Sequence, residues 1–196
     1  MNVILPRMMR SLLSLLVVLT INLNTACSAG EHTLPTQDAI PNFGRVDDHL
    51  YRGAQLELEG MKALKKLGVK LIVNLRQPWD GWKDEEAKAL ANGILYTNIP
   101  MSGVGRPNDE KVRQVLALFE TPSTPIFVHC QYGCDRTGTV VACYRVQHYH
   151  WSSELALQEA ERYGISKYED PMKRYVIEFE KATKPELQNG SGPPTK

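Results

Sequence analysis

The chemistry-bearing stretch of this 196-residue chain is His129-Cys130-Gln131-Tyr132-Gly133-Cys134-Asp135-Arg136-Thr137-Gly138. A Cys followed after five residues by Arg and then Thr lets a short loop curl, so that the backbone N–H groups of Gln131, Tyr132, Gly133, Cys134, Asp135 and Arg136 converge on one point. A helix starting behind the loop adds its positive end. Such a nest suits a phosphate dianion, and its field favours the thiolate of Cys130, a nucleophile, over the thiol. Arg136 offers a planar fork that can hold two phosphoryl oxygens and follow them into the transition state, which a Lys would do poorly. Thr137 is placed to donate its hydroxyl to the Cys130 sulfur when water cleaves a phosphocysteine. His129 should hold the loop through ring hydrogen bonds and modulate the thiol rather than act as a base. Gly133 and Gly138 permit the turns that the loop needs.

The elements that must hold this loop are legible on either side of it. Apolar runs at 70–75, 94–99 and 125–129 predict strands, and helical patterns separate them. That alternation predicts an α/β fold, a central mainly parallel sheet of about four to five strands flanked by helices, with the loop between a strand and a buried helix where open sheets place ligands. Met61, Leu64 and Leu67 stripe one helix, which Gly68 ends. Val112, Val115, Leu116 and Phe119 stripe another, opened by Pro107. Residues 136–149 are apolar on nearly all sides, as in a central helix. A further helix starts near Ser152 or Ser153, and a last one at Asp170 as cap with Pro171 in its first turn.

The loop resembles the phosphate-binding loop of the protein-tyrosine and dual-specificity phosphatases, whose pattern is His-Cys-x5-Arg-Ser/Thr-Gly. The stretches 42–55, 73–76 and 98–101 resemble segments of the atypical dual-specificity phosphatases of bacteria, fungi and plants. The resemblance implies a cysteine-dependent phosphomonoester hydrolase acting through a phosphocysteine on a phosphorylated protein or small phosphorylated substrate. It implies neither metal nor cofactor. Two other readings stay open: a phosphoinositide or inositol polyphosphate phosphatase, and a pseudophosphatase that binds phosphate without turnover.

A leaving alkoxide or phenolate calls for a proton donor, which this family usually supplies as an Asp from a mobile loop. Here that loop is 101–109 and its one Asp is Asp109, which could equally be a first-turn acid complementing its helix dipole. Asp135 is the rival, because the similar myotubularin lipid phosphatases have Asp at that loop position; otherwise it orients Arg136. Asp80, in a scrambled relative of a Trp-Pro-Asp loop, ranks third and reads as a rim residue. Arg52 and Arg76 read as structural salt-bridge formers. Trp79, Trp82 and Trp151 read as packing, and His148 and His150 do not share a helix face as metal ligands would.

The formal net charge of +1 and the absence of a basic, aromatic-interleaved run give no footing for nucleic acid. Arg7 and Arg10 ahead of an apolar run from Leu12 to Ile21 read as a signal peptide over 1–29, which places the protein outside the cytoplasm: periplasmic, secreted or lipid-anchored. Either Cys27 is lipidated in a lipobox-like Asn-Thr-Ala-Cys and becomes a membrane tether, or cleavage after Ala29 frees the chain. Residues 30–41 read as a linker, 42–184 as the catalytic domain and 185–196 as a disordered tail. Cys143 reads as a core residue. Cys134, four residues after the nucleophile, raises the idea of a reversible Cys130–Cys134 disulfide.

Overall fold

Alternating β and α segments fold as the pattern requires. The computed structural model describes residues 38–80, 82, 84–121 and 124–184. The expected signal peptide, Cys27 and the C-terminal tail lie outside them. In chain order the elements are β1 Gly44–Arg45, β2 Leu50–Gly53, α1 Leu58–Lys66, β3 Leu71–Asn74, α2 Glu85–Ala91, β4 Leu95–Asn98, α3 Asp109–Phe119, β5 Ile126–His129, α4 Asp135–Tyr149, α5 Ser153–Arg162 and α6 Asp170–Thr183, with a 3-10 turn at Pro78–Asp80. They build a five-stranded sheet in the order β1-β2-β5-β3-β4. β2, β5, β3 and β4 run parallel, and only β1 is antiparallel. The connections between parallel neighbours are helical, because a parallel crossover is too long for a turn.

Strand alternation sorts side chains onto two faces. Ile126 and Val128 of β5 join the core beneath α3, α4, α5 and α6. Phe127 between them joins the opposite core with Met61 and Leu64 of α1 and Ala89 of α2. α4 is buried from Arg136 to Val146 without a break. A helix this apolar on all sides is stable only in a domain centre, where α3, α5 and α6 surround it.

Details depart from the sequence reading at several ends. β1 and β2 are strands in a stretch where short length, Arg52 and Gly53 hid them. Ile40, assigned to the linker, is fully buried, and the Ala54 amide donates to Pro41 O at 2.8 Å, so the fold begins before residue 42. Glu169 rather than Asp170 occupies the cap position of α6. Asn108 rather than Pro107 opens α3, its side chain accepting from the Lys111 amide at 3.1 Å. Ser152 caps α5 in the same way, accepting from the Leu155 amide.

Candidate active site

β5 is the central strand, and the chain leaving its C-terminal end at His129 turns through Cys130–Cys134 into α4. Three consecutive carbonyls of this loop are held from behind. Gln131 O accepts from the Gln55 amide at 3.2 Å, Tyr132 O from Asn42 Nδ2 at 3.0 Å, and Gly133 O from Arg52 Nη2 at 2.7 Å. Peptide planes pulled outward by their carbonyls turn their N–H groups inward. Among the described residues, no N–H from Gln131 to Arg136 donates to a protein acceptor. Outward-held carbonyls and amides without protein acceptors are what the nest expected from the spacing requires, and the segment 42–55 supplies its back wall.

Two features make the fit tight. Gly133 has φ +70°, and a Cβ there would lie 2.5 Å from Gly53 O and 2.6 Å from Gly53 C, so β2 and the loop touch backbone to backbone. Arg52 is 1% exposed and stacks its guanidinium 3.9 Å from the Tyr163 ring centroid. No carboxylate pairs with it among the described residues, and its Nε and Nη1 make no hydrogen bond. The salt bridge expected for Arg52 is thus replaced by a carbonyl and a ring. Burial pushes its pKa down to about 10, against the raising influence of Tyr163, Glu159, Cys130 and Cys134. It remains a cation at neutral pH, behind the loop that carries Cys130.

Cys130 lies at the base of a cleft of about 400 Å³ whose walls include Trp79, Asp80, Val104, Tyr132, Asp135 and Arg136. Arg136, largely buried, donates Nη1 to Asp80 Oδ2 at 2.9 Å. Asp80, placed third among the acids by sequence, is thus inside the site. Burial tends to raise its pKa, but bonds from Arg136 and the Gln77 amide and the charges of Arg136 and Arg76 outweigh that and hold it below the usual range.

Asp109, the expected acid of the 101–109 loop, is not in the cleft. It pairs with Arg106 at 3.2 Å in a separate groove beside Tyr175. The hydrogen bond from Arg106, against a smaller opposing effect of burial, holds its pKa below the usual range. α3 begins at Asp109, so the residue is committed to that helix's first turn. Asp135 does line the cleft, with Oδ1 accepting from the Ser166 amide at 2.6 Å. That bond ties the loop to the α5–α6 connection.

Behind the loop, His129 Nδ1 lies 3.2 Å from Cys130 O, and the ring stacks on Phe127. Its Nε2 lies 3.3 Å from Glu85 Oε1, near contact but without hydrogen-bond geometry. Glu85 was not singled out in the sequence, where it resembles any first-turn acid. It is 5% exposed, and its Oε2 accepts from Asn74 Nδ2 at 3.0 Å and Tyr96 Oη at 3.1 Å. Burial would raise its pKa; His129, Tyr96 and the Leu56 amide prevail and lower it.

Thr137 Oγ1 is buried and has no hydrogen-bond partner, so the expected bond to the Cys130 sulfur is not made here. Cys134 is a free thiol that donates to Tyr132 O at 3.3 Å. Its pKa is pushed up by burial first and by Cys130 and Asp135 after, which disfavours the thiolate needed for disulfide exchange. Cys143 is fully buried, as expected.

A strand-to-helix loop that presents a nucleophilic Cys, a ring of inward amides and a clamping Arg defines a cysteine-based phosphatase. The comparisons agree. The family model described as a DSP-PTPase phosphatase fused to NAD+ kinase matches residues 35–176. The inositol diphosphatase DSP5 of Arabidopsis thaliana is 29% identical over 147 residues, 71% of this chain and 70% of that protein. The dual specificity protein phosphatase TpbA of Pseudomonas aeruginosa is 28% identical over 136 residues, 68% of this chain and 59% of TpbA. The core catalytic domain of the S. cerevisiae PP-IP phosphatase SIW14 shares the fold, with a TM-score of 0.65 at 24% identity over 73% of this chain and 89% of that one. The chain belongs to this DSP-PTPase family, and it is a cysteine-based phosphatase of the protein-tyrosine/dual-specificity type.

Proposed function

We propose that the physiological substrates are single phosphate esters on an aromatic ring, phosphotyrosine foremost, rather than inositol polyphosphates or pyrophosphates. One observation carries this reading: among the described residues, Arg136 is the only basic one lining the cleft, and two acids and three exposed apolar side chains surround it, Trp79 at 78%, Val104 at 69% and Tyr132 at 66%. One dianionic phosphoryl group is matched by the amide nest and one guanidinium. Each further phosphate of an inositol polyphosphate would meet Asp80 or Asp135 with no second cation among the described lining residues to offset it, whereas a tyrosyl ring finds aromatic walls to pack on.

The chemistry follows from the placement. The Cys130 sulfur attacks phosphorus, and the ester oxygen leaves with a proton taken from the cleft. Arg136 and the loop amides stabilise the equatorial oxygens, and water then cleaves the phosphocysteine to release inorganic phosphate. Of the expected acids, Asp80 and Asp135 both line the cleft; Asp80 is engaged by Arg136, and we assign Asp135 to serve the leaving group. The 1–29 segment supports action outside the cytoplasm, with Cys27 as the lipid attachment point if the chain is tethered; fractionation of cells making wild type and Cys27→Ser tests that part.

The decisive assay offers the protein a panel of phosphotyrosine peptides, phosphoserine peptides and inositol hexakisphosphate or pyrophosphate. Phosphotyrosine should have the highest kcat/KM, and Cys130→Ser should abolish turnover while retaining phosphate binding. A preference for the inositol compounds would overturn the substrate assignment, and turnover surviving Cys130→Ser would overturn the nucleophile.

A further inference from the structure

We infer that Asp80 is a positioning residue for the phosphate clamp, holding Arg136 by one terminal nitrogen so that the opposite edge of its guanidinium stays open to the phosphoryl oxygens. This rests on the Cys130 cleft being the phosphate site.

The first observation is which nitrogen is engaged. Arg136 meets Asp80 through Nη1, and among the described residues that is its only side-chain hydrogen bond. A guanidinium has two edges that can grip an anion bidentately, and a partner confined to Nη1 leaves the Nε–Nη2 edge free. Asp80 therefore need not be displaced when phosphate arrives.

The second observation is how firmly Asp80 is itself fixed. Its 3-10 turn closes through the Asp80 amide donating to Gln77 O at 3.0 Å, and its Oδ2 accepts from the Gln77 amide at 3.2 Å. Trp82 Nε1 donates to the same Gln77 O at 2.6 Å. Beneath the turn, Arg76 is 1% exposed and donates to the Asp80 carbonyl and to Gln55 Oε1, with its Nε 3.9 Å from Asp80 Oδ2. A chain of contacts thus runs from Gln55, whose amide holds the Gln131 carbonyl of the loop, through Arg76 and Asp80 to Arg136. The ends of β2 and β3 set the rotamer of a side chain at the start of α4.

A proton donor would behave differently. Asp80 is ion-paired on both sides, with Arg136 at 2.9 Å and Arg76 at 3.9 Å, and both charges favour its ionised form over the protonated one a donor needs. Its contribution is orientation, and a misplaced clamp can cost a hundredfold in rate.

The test compares wild type with Asp80→Asn, Asp80→Glu and Asp80→Ala. It measures kcat and KM for p-nitrophenyl phosphate and for an alkyl phosphate across pH, inorganic phosphate affinity by calorimetry, and the unfolding temperature. Asp80→Ala should lower kcat/KM by roughly ten- to a hundredfold for both esters alike, weaken inorganic phosphate binding and leave the pH profile unchanged in shape. Asp80→Asn, which still accepts from Arg136, should recover much of that loss. Unchanged phosphate affinity and rates in a folded Asp80→Ala would overturn the inference. So would a loss confined to the alkyl ester with disappearance of the alkaline limb, which would make Asp80 the acid. Calorimetry needs no turnover, so the Asp80 outcome remains readable even if the substrate panel contradicts the aryl phosphate assignment.

Discussion

Replacing Gly133 by Ala tests the architecture of the loop at its tightest point. The residue sits at φ +70°, where an L side chain costs about 1–2 kcal/mol. The added Cβ would meet Gly53 O at 2.5 Å, Gly53 C at 2.6 Å and Ala54 N at 2.9 Å, all backbone atoms of β2 and its exit, which cannot swing aside as a side-chain tip would. Relieving the contact requires β2 and the loop to part by nearly 1 Å, a displacement that in an active site can cost about 10²-fold in rate. The same movement lengthens the bond from Arg52 Nη2 to Gly133 O, now 2.7 Å, and frees that carbonyl to turn toward the phosphate. Gly133→Ala should lower kcat/KM for p-nitrophenyl phosphate about a hundredfold or more, equivalent to about 2.7 kcal/mol, and weaken inorganic phosphate binding in parallel. Its unfolding temperature should fall with the local strain. A folded Gly133→Ala protein within threefold of wild-type kcat/KM would refute the claim that this backbone contact shapes the nest.

Four further outcomes follow from the same geometry. Arg52→Met should leave thermal stability nearly unchanged, because a buried and only partly bonded guanidinium is exchanged for an apolar side chain, yet lower kcat/KM at least tenfold as the Gly133 carbonyl loses its donor; differential scanning calorimetry beside a kinetic assay separates the two effects. Asp109→Asn should keep kcat/KM within twofold, and Asp135→Asn should lower it most for poor leaving groups, both read from a leaving-group series. Glu85 has a folded-state pKa below its ordinary 4.5, so its stabilising contribution is present above that pH and lost as pH falls through the lower folded value. Glu85→Gln should accordingly flatten the decline of unfolding temperature below pH about 4.5, and an unaltered acid slope would show that the Glu85 network does not govern it.

Much of the design could be read along the chain, since it depends on neighbours in sequence. Cys130, Arg136 and the glycine between them lie within seven consecutive residues, and a nest of amides is a property of a contiguous backbone. The strands at 71–74, 95–98 and 126–129 announced themselves as apolar runs, and the helices between them by their stripes, because burial on a sheet imposes a period on the sequence. The rest required distant segments to meet. Arg52 and Arg76 look like surface cations until β2 and β3 carry them under the loop and the 3-10 turn. Glu85 looks like a first-turn acid until His129 is found beside it. Position along the chain put Asp109 ahead of Asp80, but the cleft holds Asp80: α3 takes Asp109 into its first turn and a separate groove, while Arg76 draws the turn at 78–80 over the cleft so that Asp80 meets Arg136. Local pattern encodes which backbone shapes form, but the partner of a charge depends on which strand ends share an edge of the sheet, and that is settled when the whole core packs.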